Sequence, residues 1–157
     1  MPLYLVQHGK SLSKELDPEK GLSREGRGDV ERIAQVAREY GVAVARIRHS
    51  GKKRARETAE IFGAALGPKD GVEAASGLNP LDAVKSVAEN LRSTDNMMFV
   101  GHLPFMEKLV SFLITGSADT KVFKFQNGGI VCLDQEPETS AWMITWALMP
   151  RVGKGWA

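Results

Sequence analysis

Short unbroken apolar runs alternate along this chain with stretches in which apolar residues recur every three or four positions. The first pattern predicts buried strands, the second amphipathic helices. Leu3 to Val6 is an apolar run ending at Gln7-His8-Gly9, as expected of a strand followed by a turn. Residues 10–22 are polar, carry Pro18 and Gly21 and have little periodicity. A loop that long in a small fold is commonly functional. From about Arg24 to Tyr40, Val30, Ile33, Val36, Ala37 and Tyr40 share one helical face, with Ser23 as the expected N-cap and Gly41 as the stop. Val42 to His49 is the next strand candidate. A second helix is predicted from a Ser50 cap to about Leu66, with Ala55, Ala59, Phe62 and Leu66 inward and Gly67-Pro68 as its terminator.

A weak strand near Val72 to Ala75 comes next, then a helix over Leu81 to Leu91 that turns Val84, Val87, Ala88 and Leu91 inward. Met97 to Val100 is a strand that again ends in a glycine and a histidine, Gly101-His102. Pro104 suits the first turn of a helix continuing to about Thr115. Val122 to Phe125, Ile130 to Asp134 and Ala141 to Leu148 read as strands, with Asn127-Gly128-Gly129 as the turn between the first two. The tail after about Pro150 is Gly-rich and expected to be loosely ordered.

Strands alternating with helices predict an α/β fold, a three-layer α/β/α sandwich. Its sheet is mainly parallel, with antiparallel C-terminal strands. The length of 157 residues fits one domain over 1–157. Ligands of such sheets sit at the carboxyl ends of the strands. His8 ends the first strand, Ser50 follows the second and His102 ends the Met97–Val100 strand. Three segments distant in sequence are therefore expected on one rim.

Charge and cysteine content remove several classes. Twenty-one Lys and Arg against 19 Asp and Glu leave a net charge of +2, which does not suit nucleic acid or an anionic membrane as partner. The most apolar helical stretch, Leu109 to Ile114, is too short to span a bilayer. No leader is expected in Met1-Pro2-Leu3-Tyr4. The single cysteine, Cys132, lies in the apolar run Ile130–Leu133 and reads as a small buried hydrophobe rather than a reactive thiol. A cytoplasmic protein is the expectation.

A histidine after a strand is by itself more often structural than catalytic. Two of them at equivalent strand ends change that balance. Arg54, in the first turn of the second helix, leans back toward the rim, where its planar guanidinium suits a phosphate. His49 reads as packing or support, Arg56 as a solvated charge facing elsewhere, and Lys52 and Lys53 as a rim that attracts anions. Asp82 is either the N-cap of its helix or a general acid. Glu15, Asp17 and Glu19 can reach the rim from the long loop, but no spacing singles one out. No cofactor is expected: the histidines lack metal-ligand spacing, and neither a phosphate-binding Gly-rich loop nor a Gly-x-Ser-x-Gly is present.

Four segments in order resemble the histidine phosphatase superfamily, with its phosphoglycerate-mutase-like fold, and within it the short SixA-type phosphohistidine phosphatases. Leu3–Gly9 is similar to the family's strand ending in Arg-His-Gly, and Gly21–Arg27 to its Leu-Ser/Thr-x-x-Gly-Arg helix start. Ser50, Arg54 and Thr58 match Ser-x4-Arg-x3-Thr, and Gly101–Pro104 the SixA-like Gly/Ser-His-Leu-Pro. The resemblance implies a metal-independent phosphatase in which neutral His8 takes the phosphoryl group as a phosphohistidine. Arg54 and His102 would bind the non-bridging oxygens, water would hydrolyse the intermediate, and Asp82 would be the acid. Gln7, Gly9, Lys10 and Ser50 complete the expected phosphate-binding set. The implied substrate is a phosphorylated protein, a phosphohistidine first, or a small phosphate ester.

One departure stands out. The family's arginine before the nucleophile is Gln7 here, and the acidic residue common after His-Gly is Lys10. An amide donates hydrogen bonds without charge, and charge-assisted bonds are roughly twice as strong. Lys10 either restores the missing charge or points into solvent. A phospho-ligand binding module without turnover and a small-molecule phosphomonoesterase or mutase are the competing readings.

Overall fold

The computed structural model describes residues 1–152. Its centre is a six-stranded sheet of β1 (Leu3–Gln7), β2 (Arg46–His49), β3 (Val72–Ala74), β4 (Met97–Gly101), β5 (Ile130–Gln135) and β6 (Trp142–Leu148). The spatial order is β3-β2-β4-β1-β5-β6. The β1–β4, β2–β4 and β2–β3 pairings are parallel, whereas β1–β5 and β5–β6 are antiparallel. Four helices cover it: α1 (Arg24–Glu39), α2 (Lys53–Leu66), α3 (Val84–Glu89) and α4 (Phe105–Thr115).

Strand β1 lies at the middle of the sheet, and all five of its residues are buried. That is why it reads as a continuous apolar run rather than an alternation. Leu3 and Leu5 pack with Phe99, Val131 and α4 on one face, while Tyr4 and Val6 pack with Val30, Ile33, Ala59 and Phe62 of α1 and α2 on the other. Two apolar layers thus flank the sheet, in the three-layer arrangement expected.

Helix α1 follows its sequence signals. The Ser23 hydroxyl accepts the Gly26 N–H, and Val30, Ile33, Ala34 and Ala37 are buried. Tyr40, expected on the inner face, is 86% exposed because the helix ends just before it. Ser50 does not cap α2. The helix starts at Lys53 with Lys52 as N-cap and no side-chain cap, because the Ser50 hydroxyl is turned toward His102 instead.

Other boundaries are shorter than expected. β2 has four residues, beginning at Arg46 rather than Val42. The predicted helix over Leu81 to Leu91 contracts to Val84–Glu89, with Ala83 and not Asp82 at its N-cap. Asp82 instead accepts the Asn79 N–H at 2.8 Å, closing a turn before the helix. Val122 to Phe125 is not a strand. The Phe125 N–H goes to the Glu107 carboxylate at 2.9 Å rather than to a neighbouring strand. In the tail, expected to be loosely ordered after about Pro150, Arg151 is tied to Gln126, Glu25 and Asp29, and residues 153–157 lie outside the described residues.

Candidate active site

The sheet register brings the two strand-end histidines together. β1 and β4 are parallel neighbours with Gln7 opposite Gly101, and the His8 N–H donates to Gly101 O at 2.9 Å. His8 and His102 therefore leave adjacent strands at the same level, with ring centroids 4.9 Å apart. β2 lies on the other side of β4 with His49 opposite Val100, so Ser50 is level with Gly101. Its hydroxyl lies 2.6 Å from His102 Nε2.

Helix α2 fixes the loop that carries His8. Thr58 is fully buried; its hydroxyl donates to Arg54 O at 2.8 Å and accepts the Gly9 N–H at 2.9 Å. Serine, arginine and threonine at four-residue intervals thus serve three tasks. Ser50 meets His102, Arg54 supplies a half-buried cation and Thr58 anchors Gly9. The Arg54 guanidinium has no hydrogen-bond or ion-pair partner among the described residues. Burial lowers its pKa, but a guanidinium stays protonated throughout the working range.

Two glycines let the chain pass closely here. A Cβ on Gly9 would lie 2.7 Å from Val30 Cγ2, and one on Gly26 would lie 2.1 Å from Lys10 O. The chain leaving His8 runs across the first turn of α1, where Ser23 donates to Lys10 O through both its N–H and its hydroxyl. The Ser-x-x-Gly spacing at residues 23–26 is therefore a docking surface for the His8 loop as well as a helix start.

His8 Nδ1 lies 2.6 Å from Gly9 O. A carbonyl only accepts, so the proton of a neutral ring sits on Nδ1 and Nε2 keeps its lone pair. Burial is the main cause that takes the His8 pKa down to about 4; the bond to Gly9 opposes it, and Arg54 and Lys20 add to it. His102, 1% exposed, is taken down to about 3 by burial first and then by His8, Arg54, Lys52 and Lys20. Both rings are neutral near pH 7. The site therefore holds an unprotonated imidazole nitrogen beside a guanidinium, an arrangement suited to nucleophilic attack on an anionic group.

Several candidates lie elsewhere. The Lys10 ammonium pairs with Glu25 at 3.0 Å on the surface, away from the rim. Asp17 accepts from Lys53 at 2.9 Å and from the Gly21 and Glu19 N–H groups, which holds its carboxyl down at about 2. Lys53 is thus an ion-pair partner rather than a free rim charge. Glu19 is a more distant partner of Lys53, at 3.9 Å, and Glu15 is exposed. His49 accepts the Gly51 N–H at 3.1 Å, a supporting contact behind Ser50. Gln7 is buried, and its Oε1 has no hydrogen-bond partner among the described residues.

Two contributors are not legible in the sequence. Lys20, in the left-handed backbone region at φ +54°, is close enough to lower the pKa of both histidines. It has no ion-pair partner among the described residues. The second is Asn127-Gly128-Gly129, which is a clamp rather than a hairpin turn. Gly128 N–H donates to Gln7 O at 2.9 Å, and the Asn127 amide to His8 O at 3.1 Å. Among the described residues no three His, Cys, Asp or Glu side chains converge as a metal would require, and no helix is long and apolar enough to cross a membrane.

Comparison with known proteins identifies the family and the fold. The model of the histidine phosphatase superfamily (branch 1) matches residues 3–85. Among solved structures, the protein histidine phosphatase SixA complexed with tungstate superposes with a TM-score of 0.82 at 23% identity, covering 96% of this chain and 97% of that one. A protein assigned as a SixA phosphohistidine phosphatase from Agrobacterium tumefaciens gives 0.74 at 22% identity, over 95% and 97%. A mycobacterial glucosyl-3-phosphoglycerate phosphatase gives 0.69 at 15% identity, over 92% and 97%. At these identities the likeness establishes the fold. No curated protein sequence matches the chain significantly.

Proposed function

Because the chain belongs to the histidine phosphatase superfamily, we propose that it is a phosphatase that works through a phosphohistidine on His8, with protein phosphohistidine as its first substrate. The observation that carries this reading is the state of His8. Its Nδ1 is committed to Gly9 O at 2.6 Å, and its pKa is held at about 4, so Nε2 is free to attack.

In this mechanism Nε2 of His8 forms a bond to phosphorus as the bond to the leaving nitrogen or oxygen breaks, and the electron pair departs with the leaving group. The Arg54 guanidinium and His102 offset the charge on the non-bridging oxygens. Water then attacks the phosphohistidine, returning neutral His8 and inorganic phosphate. Asp82 is the carboxylate proposed to protonate the leaving group, swinging from its turn with Asn79. Lys20 supplies part of the positive charge that Gln7 lacks. The likeness to SixA proteins across nearly the whole chain supports phosphohistidine as substrate.

Brief exposure to a phosphohistidine donor, with acid-labile label mapped along the chain, tests the proposal. Label on residue 8 is the expected result. No label on the wild-type chain, or label that survives His8→Ala, removes the covalent mechanism. Gln7 supports a second reading, a phospho-ligand binding module that has lost turnover. Binding of phosphopeptide without hydrolysis, unchanged by Gln7→Arg, would establish that alternative.

A further inference from the structure

Ser50 takes part in two contacts that together bear on the protonation of its neighbour. Its Oγ lies 2.6 Å from His102 Nε2, and the same oxygen accepts the Lys52 N–H at 3.3 Å. His102 is 1% exposed, and its Nδ1 has no hydrogen-bond partner among the described residues. A hydroxyl offers one hydrogen and two lone pairs, so either member of the Ser50–His102 pair can be the donor.

The two arrangements differ in what they leave at Nδ1. If His102 donated from Nε2, the hydrogen of the half-buried Ser50 would turn to solvent and Nδ1 would hold an unmet lone pair. If Ser50 donates to Nε2, Nδ1 carries an unmet hydrogen. Buried polar groups are overwhelmingly paired, and an anionic oxygen can complete only Nδ1–H, so the second arrangement is the one that a phosphoryl group favours. Its one unmet group is also a useful one, a donor in a ring 4.9 Å from the ring of His8.

We propose that Ser50 is a positioning residue whose hydroxyl donates to Nε2 of His102, holding the neutral ring with its proton on Nδ1 as the donor for a transferring phosphoryl oxygen. This arrangement rests on the phosphatase reading above, while the tautomer is measured without turnover. Burial keeps His102 uncharged at working pH, so its attraction for an anionic oxygen depends on which nitrogen carries the hydrogen. Nδ1–H attracts such an oxygen, whereas an Nδ1 lone pair repels it. His8 and His102 then share the Nδ1–H form for opposite reasons: a carbonyl accepts from Nδ1 in His8, and a hydroxyl donates to Nε2 in His102.

Long-range 1H–15N spectra of the 15N-labelled full chain test the assignment, with the three histidines distinguished by His49→Gln and His102→Gln. The expected result at pH 7 is neutral His102 with the proton on Nδ1. Ser50→Ala shifts the ring toward Nε2–H and weakens inorganic phosphate binding about 10- to 100-fold, the scale of one lost hydrogen bond to a charged group. Ser50→Thr, which keeps the hydroxyl, restores both. His102 protonated on Nε2 in the wild-type chain would falsify the proposal. So would a Ser50→Ala chain that keeps Nδ1–H and full phosphate affinity. A wild-type chain with Nδ1–H but no hydrolysis of phosphohistidine upholds the tautomer and refutes the phosphatase reading.

Discussion

The hydroxyl oxygen of Thr58, in the second turn of α2, accepts the backbone N–H of Gly9 at 2.9 Å across 49 residues of sequence. This bond joins the loop after β1 to the helix that carries Arg54. One buried hydroxyl thus ties the His8 loop directly to the helix of Arg54.

Thr58→Val keeps the shape of the side chain and removes that acceptor, leaving a buried N–H unmet. The expected loss of stability is about 1–3 kcal/mol, read by urea denaturation, together with a fall in kcat as the His8 loop loosens. Thr58→Ser retains the hydroxyl and should recover most of both. Equal stability of the Val and Thr forms would mean that the bond does not hold the loop.

Two glycines of α1 should respond to alanine with opposite signs. At Gly26 a Cβ would meet Lys10 O at 2.1 Å, a backbone atom that cannot step aside. Gly26→Ala therefore displaces the His8 loop and lowers both melting temperature and activity. At Gly28 nothing lies within 4 Å of an added Cβ, so Gly28→Ala should gain about 0.5–1 kcal/mol from helix propensity. Paired thermal melts decide the matter, and a stable, active Gly26→Ala would contradict the close approach.

The two loop lysines should separate in kinetics. Lys20 acts electrostatically on both histidines, while Lys10 pairs with Glu25 at the surface. Lys20→Ala is expected to lower kcat/KM on a phosphoramidate by about tenfold, the size of one lost charge-assisted contact. Lys10→Ala should change it little. Equal effects of the two substitutions would remove Lys20 from the site.

Gln7→Arg places a charge next to His8, at a position where the amide oxygen has no hydrogen-bond partner among the described residues. Charge-assisted bonds are roughly twice as strong as neutral ones. A gain in kcat on the order of tenfold is expected from one such bond. A soluble, folded Gln7→Arg chain with unchanged turnover would show that the missing charge is not what limits the rate.

Acidity should act on rate and stability through the buried imidazoles. Both folded-state pKa values lie below the ordinary 6.5, at about 4 for His8 and about 3 for His102. The unfolded chain therefore binds more protons at these two positions from about pH 6.5 downward. Their contribution to stability is fully present above pH 6.5 and is lost as pH falls through 4 to 3. His8 stays unprotonated down to about pH 4, so the acid limb of kcat/KM, corrected for substrate ionisation, belongs near pH 4. A limb near 6.5 would mean that burial does not control His8.

The amino-acid sequence by itself determined the elements that depend on neighbouring residues. β1 was legible because a strand buried on both faces needs a continuous apolar run, here Leu3 to Val6, and α1 because Ser23 and the spacing of Val30, Ile33 and Ala37 act within a turn or two. The placement of His8 and His102 on one rim also followed, since both end strands of a parallel sheet. Tertiary structure decided whatever depended on direction. Ser50 reads locally as a helix cap, but across the sheet His102 competes for its hydroxyl. Asp82 reads as a cap of α3, yet it bonds the turn before the helix. Lys10 lies two residues from His8 in sequence and turns to Glu25, while Lys20, ten residues on, is brought back by the loop. Local propensity operates over about one helical turn. The partner of a polar side chain depends on which distant backbone or charge the fold brings within about 3 Å, and that was decided only when β1, β2, β4 and α2 packed together.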